Sequence, residues 1–93
     1  MAYQVVWSSR AIEDVDAIAE FIARDSPAYA STVVSKIIEA TRTLENFPLS
    51  GRTVPEFADE SLREKIVYSY RILYRVEDQQ VTVATVIHGK RVL

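Results

Sequence analysis

Tyr70-Arg71-Ile72-Leu73-Tyr74-Arg75-Val76 alternates bulky apolar and cationic residues with a period of two, and its neighbours repeat that rhythm. A period of two is the mark of a β-strand, whose successive side chains leave opposite faces. Tyr70, Ile72, Tyr74 and Val76 therefore share one face, suited to a core, and Arg71, Leu73 and Arg75 the other, read as the open side of a sheet. Val81-Thr82-Val83-Ala84-Thr85-Val86-Ile87 is a second strand of the same kind. The polar Glu77-Asp78-Gln79-Gln80 between them reads as a hairpin loop. Upstream, Lys65-Ile66-Val67 supplies a third strand, so the second half of the chain is a three-stranded meander.

Working back from the meander, Pro48 to Leu62 is the one irregular stretch, with a short helix expected near Phe57–Leu62. Before it, Ala30, Val33, Val34, Ile37, Ile38, Thr41 and Leu44 recur every three or four residues over about four turns, the pattern of an amphipathic helix. Ser26-Pro27 starts that helix, serine as cap and proline at the first helical position, where its missing N–H is no loss. An earlier helix carries Ile12, Val15, Ala19 and Ile22 on one face. Ser8-Ser9 cap it, and Glu13, Asp14 and Asp16 lie near the positive end of its dipole. Tyr3-Gln4-Val5-Val6-Trp7 is a strand by its β-branched and aromatic content. The order is strand, helix, helix, three strands. It predicts a two-layer α+β domain over residues 1–93, with an antiparallel helical hairpin packed on an antiparallel sheet. Either edge of the meander is open to the first strand.

Composition narrows function by exclusion. The chain has 93 residues, 48% hydrophobic and 26% charged, which fits one globular domain and excludes disorder. It contains no cysteine and one histidine, so no disulfide framework or cysteine–histidine metal centre is expected, and no cofactor. The formal net charge is −2, against the basic excess of most nucleic-acid binders. The sign is uneven along the chain. Residues 1–48 hold four basic and seven acidic residues, and residues 49–93 hold seven and six, so an anion-facing surface belongs in the second half. No apolar run is long enough to cross a bilayer and no leader is visible, so a cytoplasmic protein without membrane contact is expected.

Glycine-rich phosphate loops, nucleophile elbows and paired metal-binding histidines are absent. The remaining polar set is Glu56 in the loop, Arg63 and Lys65 on the first meander strand, Arg71 and Arg75 on the second, and His88 followed by Lys90 and Arg91. Such residues can carry metal-free phosphoryl transfer, arginines bearing developing phosphate charge while His88 or Glu56 moves a proton. The plainer reading has solvated arginines, a terminal histidine, and Glu56 pairing with a neighbouring arginine. Tyr68, Tyr70 and Tyr74 can stack on bases, but alternate strand tyrosines more often pack a core and its edge.

The order of elements, together with Tyr3 to Ser8, Ile22-Ala23-Arg24-Asp25-Ser26-Pro27, Phe47-Pro48, Gly51-Arg52, Val54-Pro55-Glu56, Leu62-Arg63-Glu64, Tyr70 to Val76 and Val86-Ile87-His88-Gly89-Lys90-Arg91, resembles the RelE/ParE superfamily of bacterial type II toxins over nearly the whole chain. The resemblance implies the toxin half of a toxin–antitoxin, or plasmid-stabilisation, module, bound in a hetero-oligomer by a cognate antitoxin protein. It implies one of two activities. ParE-like members inhibit DNA gyrase, and the Leu-Arg-Glu string and the Ile-His-x-x-Arg ending are similar to that branch. RelE-like members cut mRNA on the ribosome without metal. In that branch the resemblance would make Arg71, His88, Arg63, Lys65 and Glu56 the catalytic set, with Arg71 and Arg63 on phosphate and His88 in proton transfer. A third expectation is an inactive member that only binds its antitoxin.

Overall fold

Chain order in the computed structural model, which describes residues 2–91, is β1 (Gln4–Trp7), α1 (Ser9–Ala23), α2 (Pro27–Arg42), a 3-10 turn (Thr43–Glu45), β2 (Arg52–Thr53), β3 (Leu62–Val67), β4 (Tyr70–Glu77) and β5 (Gln80–His88). Both helices start as their caps require. Ser8 Oγ accepts from Ala11 N, and Ser26 Oγ accepts from Tyr29 N with Pro27 at the first helical position. Each cap satisfies one backbone donor that the helix itself cannot.

The two helices cover one face of a five-stranded sheet in the order β1-β5-β4-β3-β2. The meander pairs antiparallel, while β1 lies parallel to β5 with Val5 opposite Val81. The sheet is therefore mixed rather than antiparallel throughout, and the first strand takes the β5 edge. A backbone bond from Tyr3 N to Glu45 O ties β1 to the end of the helical hairpin.

Ala11, Val15 and Ile22 of α1, Ala30, Val33 and Ile37 of α2, and Ile72, Val83 and Val86 of the sheet form the main core. Burying a side chain such as Ile37 contributes roughly 1.5–3 kcal/mol. The stripe on α1 runs through Ala11 and Ile18 rather than Ile12 and Ala19, and Ile12 is 51% exposed. The small Ala11 is fully buried in the core between α1 and the sheet. Ile38 also points outward. Asp14, read as a dipole partner, accepts from Thr85 Oγ1 and from Val86 N at 3.0 Å. It thereby fastens α1 to β5 beside the irregularity that lies opposite Leu73 and Tyr74.

The far side of the sheet departs most from expectation. Residues 54–61 do not form a helix. Turns closed by Phe57 N to Val54 O and Leu62 N to Asp59 O carry the chain across the sheet, and β2 occupies part of the stretch read as irregular. Val54 packs with Leu73, Ile87 and Leu62 in a second, smaller core. The face expected to be open is covered at its centre.

Candidate functional site

The ladder between β3 and β4 places Glu64 opposite Leu73 and Ile66 opposite Arg71. Glu64 and Arg71 are therefore diagonal neighbours on the far face, within reach of long side chains. The ladder between β2 and β3 puts Arg52 directly opposite Glu64. Three adjacent strands thus set arginine, glutamate and arginine in one line across the sheet.

The line is closely bonded. Glu64, whose side chain is fully buried, accepts from Arg71 Nε at 2.7 Å and from Arg52 Nε. From the turn above, Glu56 meets the outer edge of the same guanidinium, its two carboxylate oxygens each 2.9 Å from Arg71 Nη1 and Nη2. This is the two-pronged geometry that arginine and a carboxylate share. Arg71 Nη1 also donates to the Arg91 carbonyl at 3.3 Å. The Arg71 side chain is 7% exposed. Glu56, then Glu64, hold its pKa above the ordinary arginine value in spite of burial, which alone would lower it. The cation is permanent, and two carboxylates and a carbonyl engage its donors.

Arg71 was expected on an open face and is instead buried. The cause is the turn at residues 54–60, which brings Glu56 and Val54 over the sheet. Glu56 pairs with this arginine. Arg63, opposite Tyr74, emerges on the helix side of β3 and donates to the carbonyls of Gly51 at 3.2 Å and Glu60 at 3.1 Å. Lys65 lies opposite Ile72, also on the helix side, in a groove with Lys36 and Glu39 of α2. His88 ends β5 opposite Tyr70, and the two rings meet edge to face with centroids 5.6 Å apart. Its Nδ1 accepts from Lys90 N at 3.2 Å. Tyr70 packs against the helix-side core, so His88 and Arg71 sit on opposite faces of the sheet. The structure brings Arg71 and Glu56 together and leaves Arg63, Lys65 and His88 on the reverse face.

Glu64 and Arg52 join the cluster without having been singled out for it. Glu64 had a signal, since Leu62 and Ile66 flank it at the same strand parity and put a carboxylate on a face with Leu73. Gly51 also belongs to the site's frame. Its N–H donates to the buried Tyr74 hydroxyl at 2.9 Å, and a Cβ there would lie 2.5 Å from the Glu64 carbonyl oxygen. Arg75, expected beside Arg71, is half-exposed and bonds Ser61 Oγ at 2.9 Å near Asp59 and Glu77. Among the described residues no group of three acidic or histidine side chains is arranged to hold a metal ion. No described helix is long and apolar enough to cross a membrane.

The family described as ParE toxin of type II toxin–antitoxin system, parDE, matches residues 5–93. The chain belongs to the ParE toxin family. It is 35% identical over 89 residues to Toxin RelE2 of Caulobacter vibrioides, covering 95% of this chain and 97% of that protein. Among solved structures, the chromosomal ParDE system of P. aeruginosa has a chain that superposes with a TM-score of 0.78 at 18% identity, covering 96% of this chain and 98% of its own. A mutant of the E. coli toxin RelE in the free state superposes with a TM-score of 0.68 at 20% identity, covering 97% and 86%. At those identities the superpositions speak for the fold: two helices on a five-stranded sheet. The ParE-family chain is thus a type II toxin of the RelE/ParE superfamily.

Proposed function

We propose that this toxin acts as ParE-like members of its superfamily do, by inhibiting DNA gyrase or a related topoisomerase in the cytoplasm, and that a cognate antitoxin neutralises it in a hetero-oligomer. The engagement of Arg71 is the observation that carries this reading. A nuclease needs a cation free to meet a phosphate and a proton-transfer group within reach of the same phosphate. Here Glu56 and Glu64 engage the guanidinium, and His88 lies across the sheet from it. The acidic balance of the whole chain supports the same side, because nucleic-acid binding draws most of its affinity from phosphate neutralisation. An antitoxin partner is supported by the likeness to the P. aeruginosa structure, which is of a chromosomal ParDE toxin–antitoxin system.

The relative named Toxin RelE2 favours a second reading, ribosome-dependent mRNA cleavage. In that reading Arg71 and Arg63 take phosphate, Lys65 and Glu56 support them, and His88 transfers a proton. The experiment is induction of the toxin alone in a bacterial host, following growth, mRNA integrity and the DNA-damage response together. Growth arrest with filamentation, a damage response and intact mRNA is expected. Arrest with rapid mRNA cleavage that His88→Ala abolishes would establish the second reading instead. No arrest at all would point to a member that only binds its antitoxin.

A further inference from the structure

Arg71 touches three parts of the chain that are remote in sequence. Its Nε faces Glu64 in the sheet, its outer edge faces Glu56 in the turn over residues 54–60, and Nη1 reaches the carbonyl of Arg91 beyond the end of β5. Beyond β5 the backbone has other ties, Gly89 N to Ser69 O and Arg91 N to His88 O, and this guanidinium adds a link from that segment to the turn. The segment so held carries Lys90 and Arg91, both exposed and, among the described residues, in no ion pair.

We propose that Arg71 is a latch that couples the 54–60 turn to residues 89–91, so that Glu56 at one end holds Lys90 and Arg91 in place at the other as a cationic contact for a carboxylate-bearing surface of the target protein. The coupling follows from geometry. A planar guanidinium held on Glu64 offers a fixed outer edge, and Glu56 and the Arg91 carbonyl share Nη1 on it. When Glu56 leaves, Nη1 has water to satisfy it and the outer edge keeps only Glu64, on the inner side, to restrain it, so the bond to Arg91 loosens with it. A lysine at this position carries its three donors on a single atom and lacks the planar fork that meets Glu64 on one edge and Glu56 on another, so it cannot reproduce the arrangement. The statement about the target rests on the gyrase reading, whereas the latch itself does not.

Amide hydrogen exchange on the whole purified chain tests the coupling, comparing wild type with Glu56→Ala and with Glu60→Gln, a charge control in the same turn. In Glu56→Ala, exchange of the Phe57 and Arg91 amides is expected to accelerate together by about tenfold or more, while the Ile72 and Val86 amides keep their rates, as local opening requires. Glu60→Gln is expected to leave all four amides unchanged. Acceleration at Phe57 with Arg91 unchanged would overturn the latch, as would uniform acceleration that includes Ile72. Arg71→Lys is expected to reproduce the paired acceleration. A supercoiling assay with purified gyrase then reads the target contact, with inhibition by Glu56→Ala expected to weaken about tenfold at low salt, where exposed charges act most strongly. If wild type does not inhibit gyrase, the proposed function falls and the exchange pattern still decides the latch. If Glu56→Ala inhibits gyrase as well as wild type does, while its Arg91 amide exchanges faster, the role of Lys90 and Arg91 at the target is overturned.

Discussion

Replacing Glu64 by leucine removes a fully buried carboxylate and leaves Arg71, itself 7% exposed, with Glu56 as its remaining anion among the described residues. Taking one partner from a buried pair costs about 3–5 kcal/mol where the other charge is left uncompensated. Since Glu56 still pairs with Arg71, the loss here falls in the lower part of that range, about 3–4 kcal/mol. Arg52 adds little to the loss, because its side chain is 63% exposed and water can replace the carboxylate. In urea, with a slope of roughly 1.5 kcal/mol per molar for a chain of this size, the unfolding midpoint is expected to fall by about 2–3 M. Because the pair is buried, 1 M sodium chloride should change that shift little. The double variant Glu64→Leu/Arg71→Met is the sharper test. It removes both charges for apolar groups of similar length, and Glu56, on the surface turn, can hydrate. The double variant is therefore expected to recover more than half of the lost midpoint. Equilibrium unfolding followed by tryptophan fluorescence and far-ultraviolet dichroism gives both numbers. A midpoint shift below about 0.5 M for the single variant, or a double variant no better than the single one, would refute the view that Glu64 exists to balance Arg71.

Gly51→Ala sets a Cβ 2.6 Å from the Tyr74 hydroxyl and closer still to the Glu64 carbonyl, so β2 must move away from β3. A loss of about 2–4 kcal/mol is expected in thermal unfolding, in the range reserved for overpacked cores and broken buried bonds. Asp14→Ala removes the acceptor of Thr85 Oγ1 and Val86 N and should cost about 1–3 kcal/mol, whereas Asp14→Asn keeps an acceptor oxygen and should cost less. Equal losses in denaturant midpoint would argue against the acceptor role. The Asp59 carboxyl accepts from both the hydroxyl and the amide of Ser61, with Arg75 nearby, and these hold its pKa below the ordinary value of 3.8. Its folded pKa being the lower one, its contribution to stability is complete above the unfolded value and lost as pH falls through the folded one. Carboxyl titration by NMR should show a midpoint below 3.8 that rises in Ser61→Ala, and a midpoint unmoved by that change would remove the hydroxyl as the main cause.

The elements were legible in the chain because their signals are local. A serine cap before proline can start only the helix that follows it, and the spacing of Ala30, Val33, Ile37, Thr41 and Leu44 admits one buried face whatever lies opposite. Period two in β4 likewise separated Tyr70, Ile72 and Tyr74 from Arg71 and Leu73, and that separation holds in the folded sheet. With the resemblance of its ordered strings, the sequence by itself determined the two-layer architecture and the toxin family.

What the tertiary structure decided concerns position across the sheet. Periodicity tells which residues share a face but not what covers that face, so Arg71 read as exposed until the 54–60 turn laid Glu56 and Val54 over it. Nor does periodicity say how separate strands register. Diagonal placement of Glu64 beside Arg71, and of His88 on the reverse face, depends on which residues of β3 and β5 stand opposite β4. Parallel pairing of β1 with β5 is equally non-local, set by packing against Val81 and the hairpin end at Glu45 rather than by any residue within β1. A buried charge needs its partner near in space, and only the fold can supply a partner remote in sequence.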